Sequence, residues 1–123
     1  MNKLIIIALS AVLVPVFAGF APAAKASSLY FEKVPVKTSS EKTCLNFASD
    51  VARAVGLSNV HRNALEVAGE KQGVYLSTTC VGRGGQPAIA VVMASGADFA
   101  ATRQLAQVAA NKIKGIACFD LPC

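Results

Sequence analysis

Polar and apolar positions alternate most clearly between Gly73 and Gly96. Residues 74–81, VYLSTTCV, alternate in polarity and are rich in β-branched and aromatic side chains, which favours a strand with one buried face. Residues 88–94 are apolar throughout. Between these runs lie residues 82–86, GRGGQ, whose glycines allow the chain to reverse. The pattern predicts a β-hairpin with a cysteine, Cys80, in its first strand.

Apolar residues upstream of the hairpin recur at the spacing of an amphipathic helix. They are Cys44, Leu45, Ala48, Val51, Ala52 and Val55. At the start of this segment, Thr38 and Glu41 have the spacing of a capping box, in which a hydroxyl and a carboxylate bind backbone N–H groups. Gly56 is expected to end the helix.

A second helix is predicted downstream of the hairpin. Asp98 is its expected N-cap, and Gly115 is expected to stop it. One side of this helix carries Thr102, Leu105, Ala109 and Ile113, with further alanines nearby. Because alanine side chains are short, this side of the helix can approach a sheet closely.

Two more segments are predicted to be strands. Residues 27–36 form the first. Because proline donates no ladder hydrogen bond, Pro35 predicts that this strand lies at a sheet edge or ends there. Residues 58–68 form another, which leads into the hairpin. The order β-α-β-β-β-α predicts a two-layer α+β sandwich, with a mostly antiparallel sheet of four or five strands and both helices on one face. For residues 116–123, a short final strand and a tail packed along an edge both remain open.

Strand periodicity assigns the hairpin residues to two faces. On the face that the helices cover we expect Val74, Leu76 and Thr78, together with the bulkier residues of the second strand, Ile89, Val91 and Met93. On the other face we expect Tyr75, Ser77, Thr79 and Val81, together with Ala88, Ala90, Val92 and Ala94. A face this apolar suggests a docking surface, a dimer seam or the floor of a ligand site. The alternative is that the tail or the N-terminal segment covers it.

The start of the chain has the features of a cleavable secretory signal peptide. Lys3 precedes an apolar run over residues 4–24, and Ala24-Lys25-Ala26 is a small-residue cleavage site. The alternative is a membrane anchor, since about 20 apolar residues span a bilayer. Two prolines in the run and the cleavage site argue against retention. We therefore expect Sec-type export to the periplasm or the medium, cleavage after residue 26, and one small domain over residues 27–123 without stable membrane insertion.

All four cysteines, Cys44, Cys80, Cys118 and Cys123, lie in the expected mature domain. An even number of cysteines in a small exported protein predicts disulfides. Among the three connectivities, Cys44–Cys80 with Cys118–Cys123 is favoured, because the first ties a helix to the hairpin and the second closes a short chain end. A metal cluster or redox pair has little support, since there is no Cys-x2-Cys motif and only one histidine, His61. We expect neither a metal nor another cofactor.

The charge distribution argues against a nucleic-acid partner. The formal net charge of +5 falls to +3 when Lys3 and Lys25 are removed with the signal peptide. The remaining basic residues are scattered among seven acids instead of forming the runs or faces that bind nucleic acid.

Candidate catalytic groups are isolated from one another. His61 and Arg62 would suit acid–base chemistry beside an anion site. General acid–base catalysis, however, needs a set of positioned partner groups, and the sequence shows none. The favoured interpretation is a surface histidine next to a solvated arginine. The hydroxyls of residues 77–79 have no visible histidine-plus-acid relay. No catalytic residue is therefore assigned, and a hydrolase is the weakest of the functional classes.

The leading prediction is an exported, non-catalytic periplasmic protein that binds another protein, as an inhibitor or immunity-type factor. Its binding site would be the sheet face or the hairpin tip with Arg83, Gly84 and Gln86. Arg83 is the strongest candidate, because a guanidinium at a tip can pair bidentately with a carboxylate in a partner's cleft. A homodimer through the sheet face is a further option.

The runner-up is a periplasmic carrier of a small apolar or anionic ligand. The ligand would lie on the open sheet face, where Tyr75 would orient it and Thr79 would line the surface. Arg62 or Arg83 would supply the counter-charge.

Overall fold

The structure is a computed structural model, and it describes residues 27–117. The predicted signal peptide, the Cys118–Cys123 bridge and the possible final strand lie outside the described residues. Neither helix in residues 27–117 has the length and hydrophobicity needed to cross a membrane.

Residues 27–117 form a five-stranded antiparallel sheet with two helices. The elements are β1 (Ser28–Pro35), α1 (Glu41–Ala54), β2 (Ser58–Arg62), β3 (Glu66–Lys71), β4 (Val74–Arg83), β5 (Gln86–Gly96) and α2 (Phe99–Gly115). The spatial order is β1-β5-β4-β3-β2, so β1 is an edge strand, as predicted from its proline. Helix α2 packs over β1 and β5, while α1 packs over β3 and β4. The predicted two-layer α+β fold is confirmed.

The segment 58–68 forms two strands where one was predicted. The side chain of Asn63 makes the turn between them, because its Oδ1 accepts hydrogen bonds from Leu65 N at 2.8 Å and from Glu66 N at 2.9 Å. These hydrogen bonds from the backbone to a nearby side chain replace the hydrogen bonds of a continuing strand, so the chain reverses here. The resulting β2–β3 hairpin gives the sheet its fifth strand.

Helix α1 begins at a different cap from the predicted one. Its N-cap is Ser40, whose Oγ accepts a hydrogen bond from Thr43 N at 3.2 Å. Thr38 lies before the cap, and its Oγ1 accepts from Ser40 N. Glu41 is the first helical residue, and its Oε1 accepts from Gly82 N of β4 at 2.7 Å. The predicted capping box is therefore wrong, because its carboxylate bonds the hairpin and not the helix start.

The predicted C-terminal end of α1 and the predicted N-cap of α2 are confirmed. Gly56 follows the last turn of α1 with φ 77°, a left-handed conformation that glycine adopts without strain. Asp98 is the N-cap of α2, and its Oδ1 accepts from Ala100 N at 2.9 Å. The predicted apolar stripes of both helices are buried.

The predicted disulfide Cys44–Cys80 connects α1 to β4. The two Cα atoms are 6.0 Å apart, and the residues are 0% and 6% exposed. The bridge therefore lies in the core between the two layers.

The facing predicted for β5 is reversed. Its buried row is Ala88, Ala90, Val92 and Ala94, whereas Ile89, Val91 and Met93 lie on the face away from the helices. Helix α2 adds Ala106, Ala109 and Ala110 to the same core, each of them 0% exposed. Short side chains on both elements allow the helix to lie close to the sheet. The alanines of α2 therefore correctly predicted that this helix lies close to the sheet. The expectation that the bulkier row of β5 fills the core was wrong.

A β-bulge at the end of the hairpin explains this reversal. Between the pair nearest the turn, Arg83 with Gln86, and the next pair, Val81 with Ile89, strand β5 contains one residue more than β4. The extra residue lies at Pro87, and bulges tolerate proline because they leave a position unpaired. A one-residue shift moves every side chain of a strand to the opposite face. Without the bulge, the bulkier row of β5 would share a face with the disulfide.

Candidate functional site

The side of the sheet away from the helices is the candidate site, and we call it the open face. It consists of Leu29, Phe31, Lys33 and Pro35 from β1; Ile89, Val91, Met93 and Ser95 from β5; Tyr75, Ser77, Thr79 and Val81 from β4; Glu66, Ala68 and Glu70 from β3; and His61 from β2. The alternation of each strand places these side chains on one surface.

One half of the open face, formed by β1, β5 and β4, is apolar and exposed. Leu29 and Phe31 are 64% and 55% exposed, and Val81, Tyr75 and Met93 are 46%, 39% and 38% exposed. Strand spacing makes this apolar half roughly 15 Å wide and 20 Å long, or about 300 Å² in projection. Single exposed apolar side chains are ordinary, whereas a patch of about 300 Å² is comparable to the largest apolar patch of a typical monomer, which is often functional.

The other half, formed by β4, β3 and β2, is flatter and more polar. Ser77 and Ala68 lie at its centre and are 3% and 0% exposed. The Oγ of Ser77 donates a hydrogen bond to Glu66 Oε2 at 2.5 Å. The His61 ring lies beside the Tyr75 ring, with centroids 6.4 Å apart. Ser77 is buried and its hydroxyl donates to Glu66 and not to His61, so this hydrogen bond joins β4 to β3 on the open face.

The open face has opposite charges at its two sides. Lys33 is exposed on β1, while Glu66 and Glu70 lie on β3. Lys33 pairs with Val91, Val91 with Thr79, and Thr79 with Glu66, so the cation and one carboxylate lie in the same row across the sheet. The surface is therefore positive at one end of this row and negative at the other, and a binding partner can have the complementary charges.

Two predicted site residues, Tyr75 and Thr79, lie on the open face as expected. The predicted tip residues Arg83, Gly84 and Gln86 are exposed at the end of the β4–β5 hairpin. The Nε of Arg83 donates a hydrogen bond to Pro87 O at 2.7 Å. This bond holds the guanidinium against the tip.

Arg62 does not lie on the open face. Its Nη1 donates to Asn46 Oδ1 at 2.9 Å and contacts Ser49 Oγ at 3.3 Å, both on α1. The residue pairs with Val67, a core residue, so its side chain belongs to the helix side of the sheet. The expectation that Arg62 supplies a counter-charge on the open face is therefore corrected.

Sequence reasoning missed the largest apolar contributors to the site. Leu29, Phe31 and Lys33 alternate with Tyr30 and Glu32, which pack towards α2. The alternation of residues along β1 was the available signal for these side chains. It shows which residues share a face, but the pairing of β1 with β5 is needed to tell which face is open. Met93 was missed because the bulge reversed the expected facing of its strand.

Grooves are present on the helix side. One of about 380 Å³ lies between the helices, with walls that include Val55, Leu105 and Val108 and with Lys71 and Lys112 among its lining residues. Two neighbouring grooves of about 430 and 500 Å³ lie along the C-terminal half of α2. The Nζ of Lys71 already donates to Val55 O at 2.6 Å.

Within residues 27–117, no cluster of histidine, cysteine, aspartate and glutamate has the arrangement of a metal site. Comparison of the chain with protein-family models, curated proteins and solved structures finds no match.

Proposed function

We propose that this chain is an exported, non-catalytic protein that binds another protein through its open face, as an inhibitor or immunity-type factor acting in the periplasm. The observation that carries the proposal is the contiguous apolar half of the open face, centred on Phe31 and Met93. Aromatic residues and methionine are enriched in the cores of protein interfaces. The surrounding Lys33, Glu70 and His61 supply a polar rim of the kind that such interfaces have.

The scaffold beneath the open face is held rigid at one place by two connections. The disulfide joins Cys44 to Cys80, and the Glu41 carboxylate bonds Gly82 two residues further along β4. A surface that is already ordered loses little conformational entropy on binding, which favours affinity. Disulfides persist in oxidising compartments, which supports an extracytoplasmic location.

The hairpin tip is a second contact candidate. Only the Nε of Arg83 has a hydrogen bond to the tip itself, which leaves the terminal nitrogens as donors for a partner carboxylate. Replacing Arg83 with alanine is expected to weaken partner binding by about tenfold, corresponding to the loss of a charged contact of about 1.4 kcal/mol. The melting temperature should stay unchanged because the residue is exposed.

Site-specific photo-cross-linking in the native host tests the use of the open face. A photoreactive amino acid replaces Phe31 in one variant and Val108 in a control variant, since Val108 is an exposed apolar residue on α2, at 40%. We expect a defined heterologous polypeptide cross-linked at position 31 and not at position 108. Equal labelling at both positions, or labelling at position 108 alone, would show that the open face is not the binding surface.

Calorimetry with the identified, purified partner then measures the contribution of the face. Phe31→Ser should raise the dissociation constant by at least about tenfold, as for a central aromatic contact, while Val108→Ser should leave it within about twofold. An unchanged constant for Phe31→Ser would refute the proposal even if a complex forms.

The carrier alternative would use a groove on the helix side instead of the open face. The groove of about 380 Å³ between the helices combines apolar walls with Lys71 and Lys112, and its volume is at the lower end of the range for small-ligand sites. A native mass spectrum of protein purified from its own host tests this alternative. An added mass of a few hundred daltons, lost in Leu105→Arg, would favour a carrier of an amphipathic anion over a protein-binding function.

A further inference from the structure

We propose that, without its partner, the open face is covered by a second copy of this chain, related by a two-fold axis that runs along the strands between β4 and β5. The inference rests on the proposed function, because it assigns a free state to the same surface. A partner would then bind by displacing the second copy.

The register of the sheet gives the arrangement. Residues directly opposite each other in antiparallel strands form rows that cross the sheet. One row is Phe31, Met93, Ser77 and Ala68, and the next is Lys33, Val91, Thr79 and Glu66. A two-fold axis between β4 and β5 places β5 over β4 of the second copy and β1 over its β3. Each row then meets itself in reverse order, as an isologous interface requires.

The heights of the side chains are complementary in this arrangement. Phe31, at 55% exposed, lies over Ala68 of the second copy, which has a short side chain. Met93 likewise lies over Ser77 of the second copy, which is 3% exposed. In this row, the tall side chains of β1 and β5 of each copy therefore cover the short side chains of β4 and β3 of the other. Close packing of this kind is typical of the core of a protein interface.

The charges are complementary as well. The same axis places Lys33 of each copy opposite Glu66 of the other, and symmetry makes this pair twice. An axis across the strands would instead set tall apolar side chains against each other and place Lys33 of one copy near Phe31 of the other. Opposite charges in register favour the axis along the strands, because charge complementarity fixes the relative orientation of two surfaces.

The area of the face predicts a weak dimer. Four strands at their usual spacing cover about 20 Å by 25 Å, or about 500 Å² in projection per copy. Stable interfaces bury about 800 Å² per partner, so this one belongs with transient associations. We expect a dissociation constant that is roughly micromolar, which a cognate partner can outcompete.

Sedimentation equilibrium of the oxidised chain in its exported form, residues 27–123, tests the dimer. Phe31→Ser and Lys33→Glu should each weaken association by at least about tenfold, and the exchange Lys33→Glu with Glu66→Lys should restore it to within about threefold of the wild type. Val108→Ser is the matched control and should associate like the wild type. A monomer at all concentrations up to about 200 μM, far above a micromolar constant, would overturn the proposal.

Because Glu66 also accepts from Ser77, its variant could disturb the sheet, so a second measurement uses a single site. Chains with a photoreactive residue at position 31 are mixed as ¹⁴N and ¹⁵N forms, and cross-linked peptides of mixed isotope identify contacts between copies. We expect cross-links to residues 66–71 of the other copy. Cross-links to β1 of the other copy, or to residues 118–123 of the same chain, would overturn the proposal.

The two proposals fail separately. A monomeric chain that is cross-linked to a heterologous protein in the host removes the dimer and leaves the proposed function. A dimer with the predicted exchange behaviour, together with no heterologous cross-link at position 31, removes the heterologous partner and leaves the dimer.

Discussion

Loss of the Cys44–Cys80 bridge should strongly destabilise the protein without changing its fold. The perturbation is the double variant Cys44→Ala with Cys80→Ala. Both residues are buried, and alanine is smaller than cysteine, so the exchange adds no clash in the core. The variant removes the only disulfide between α1 and the sheet in residues 27–117.

The expected cost follows from the length of the loop that the bridge closes. The cysteines are 36 residues apart in sequence, for which loop-closure entropy gives about 4 kcal/mol at 25 °C. A domain of this size is stable by roughly 5–14 kcal/mol. The double variant should therefore stay folded with a small margin, and its melting temperature should fall by about 15–30 °C.

Urea unfolding followed by circular dichroism measures the difference directly. The slope of the free energy of unfolding against urea should rise in the variant, because an unlinked unfolded chain exposes more surface. The control is Cys118→Ala with Cys123→Ala, which accounts for any effect of removing cysteines as such. Reduction of the wild type should reproduce the combined loss.

A decrease of less than about 1 kcal/mol in the double variant would refute the reasoning. It would mean that the unfolded chain is already constrained near these residues, so that the bridge removes little of its entropy. Unfolding at 25 °C would also contradict the estimate, since it would require the bridge to supply nearly all of the stability.

Two smaller perturbations test the local structure by urea unfolding. Ser40→Ala should cost about 1 kcal/mol because it removes the N-cap of α1, whereas the neighbouring Ser39→Ala should lie within about 0.5 kcal/mol of the wild type; equal effects would contradict the observed cap. Gly96→Ala should cost about 1–3 kcal/mol because the new Cβ would lie 2.8 Å from the buried Thr102 Oγ1. Gly85→Ala meets no atom within 4 Å and should be close to neutral, so similar losses at both glycines would refute the close packing of α2 on the sheet.

Local periodicity was sufficient to predict both helices and the hairpin, and Pro35 indicated the edge position of β1. These features depend on single residues or on residues a few positions apart. The even count of cysteines predicted disulfides, whereas the pairing of Cys44 with Cys80 was favoured among three connectivities that the sequence leaves open. The α1 cap was harder, since Thr38 and Ser40 are both hydroxyl residues near the helix start. Ser40 is the cap, and Glu41 instead bonds Gly82, a contact 41 residues away in sequence that no local pattern shows.

The existence of an open sheet face was predicted, but half of its residues were assigned wrongly. The sequence indicated a sheet side with Tyr75 and Thr79, yet it assigned the alanine row of β5 to that side. Register depends on the bulge at Pro87, and a proline in a strand was a usable signal for it. The Asn63 turn was a similar signal for the extra hairpin. Arg62 was misplaced because its strand contacts α1, a pairing that follows from tertiary structure alone.

Alternate residues of strand β5 have separate roles, one set in packing against α2 and the other on the open face. Its alanines and Val92 are fixed by the distance to α2, while Ile89, Val91 and Met93 have no neighbour in the helical layer. Exchanging the outward residues therefore leaves the interior unchanged. A lineage of such chains could acquire new binding specificities by substitution at alternate positions of β5, at almost no cost in thermal stability.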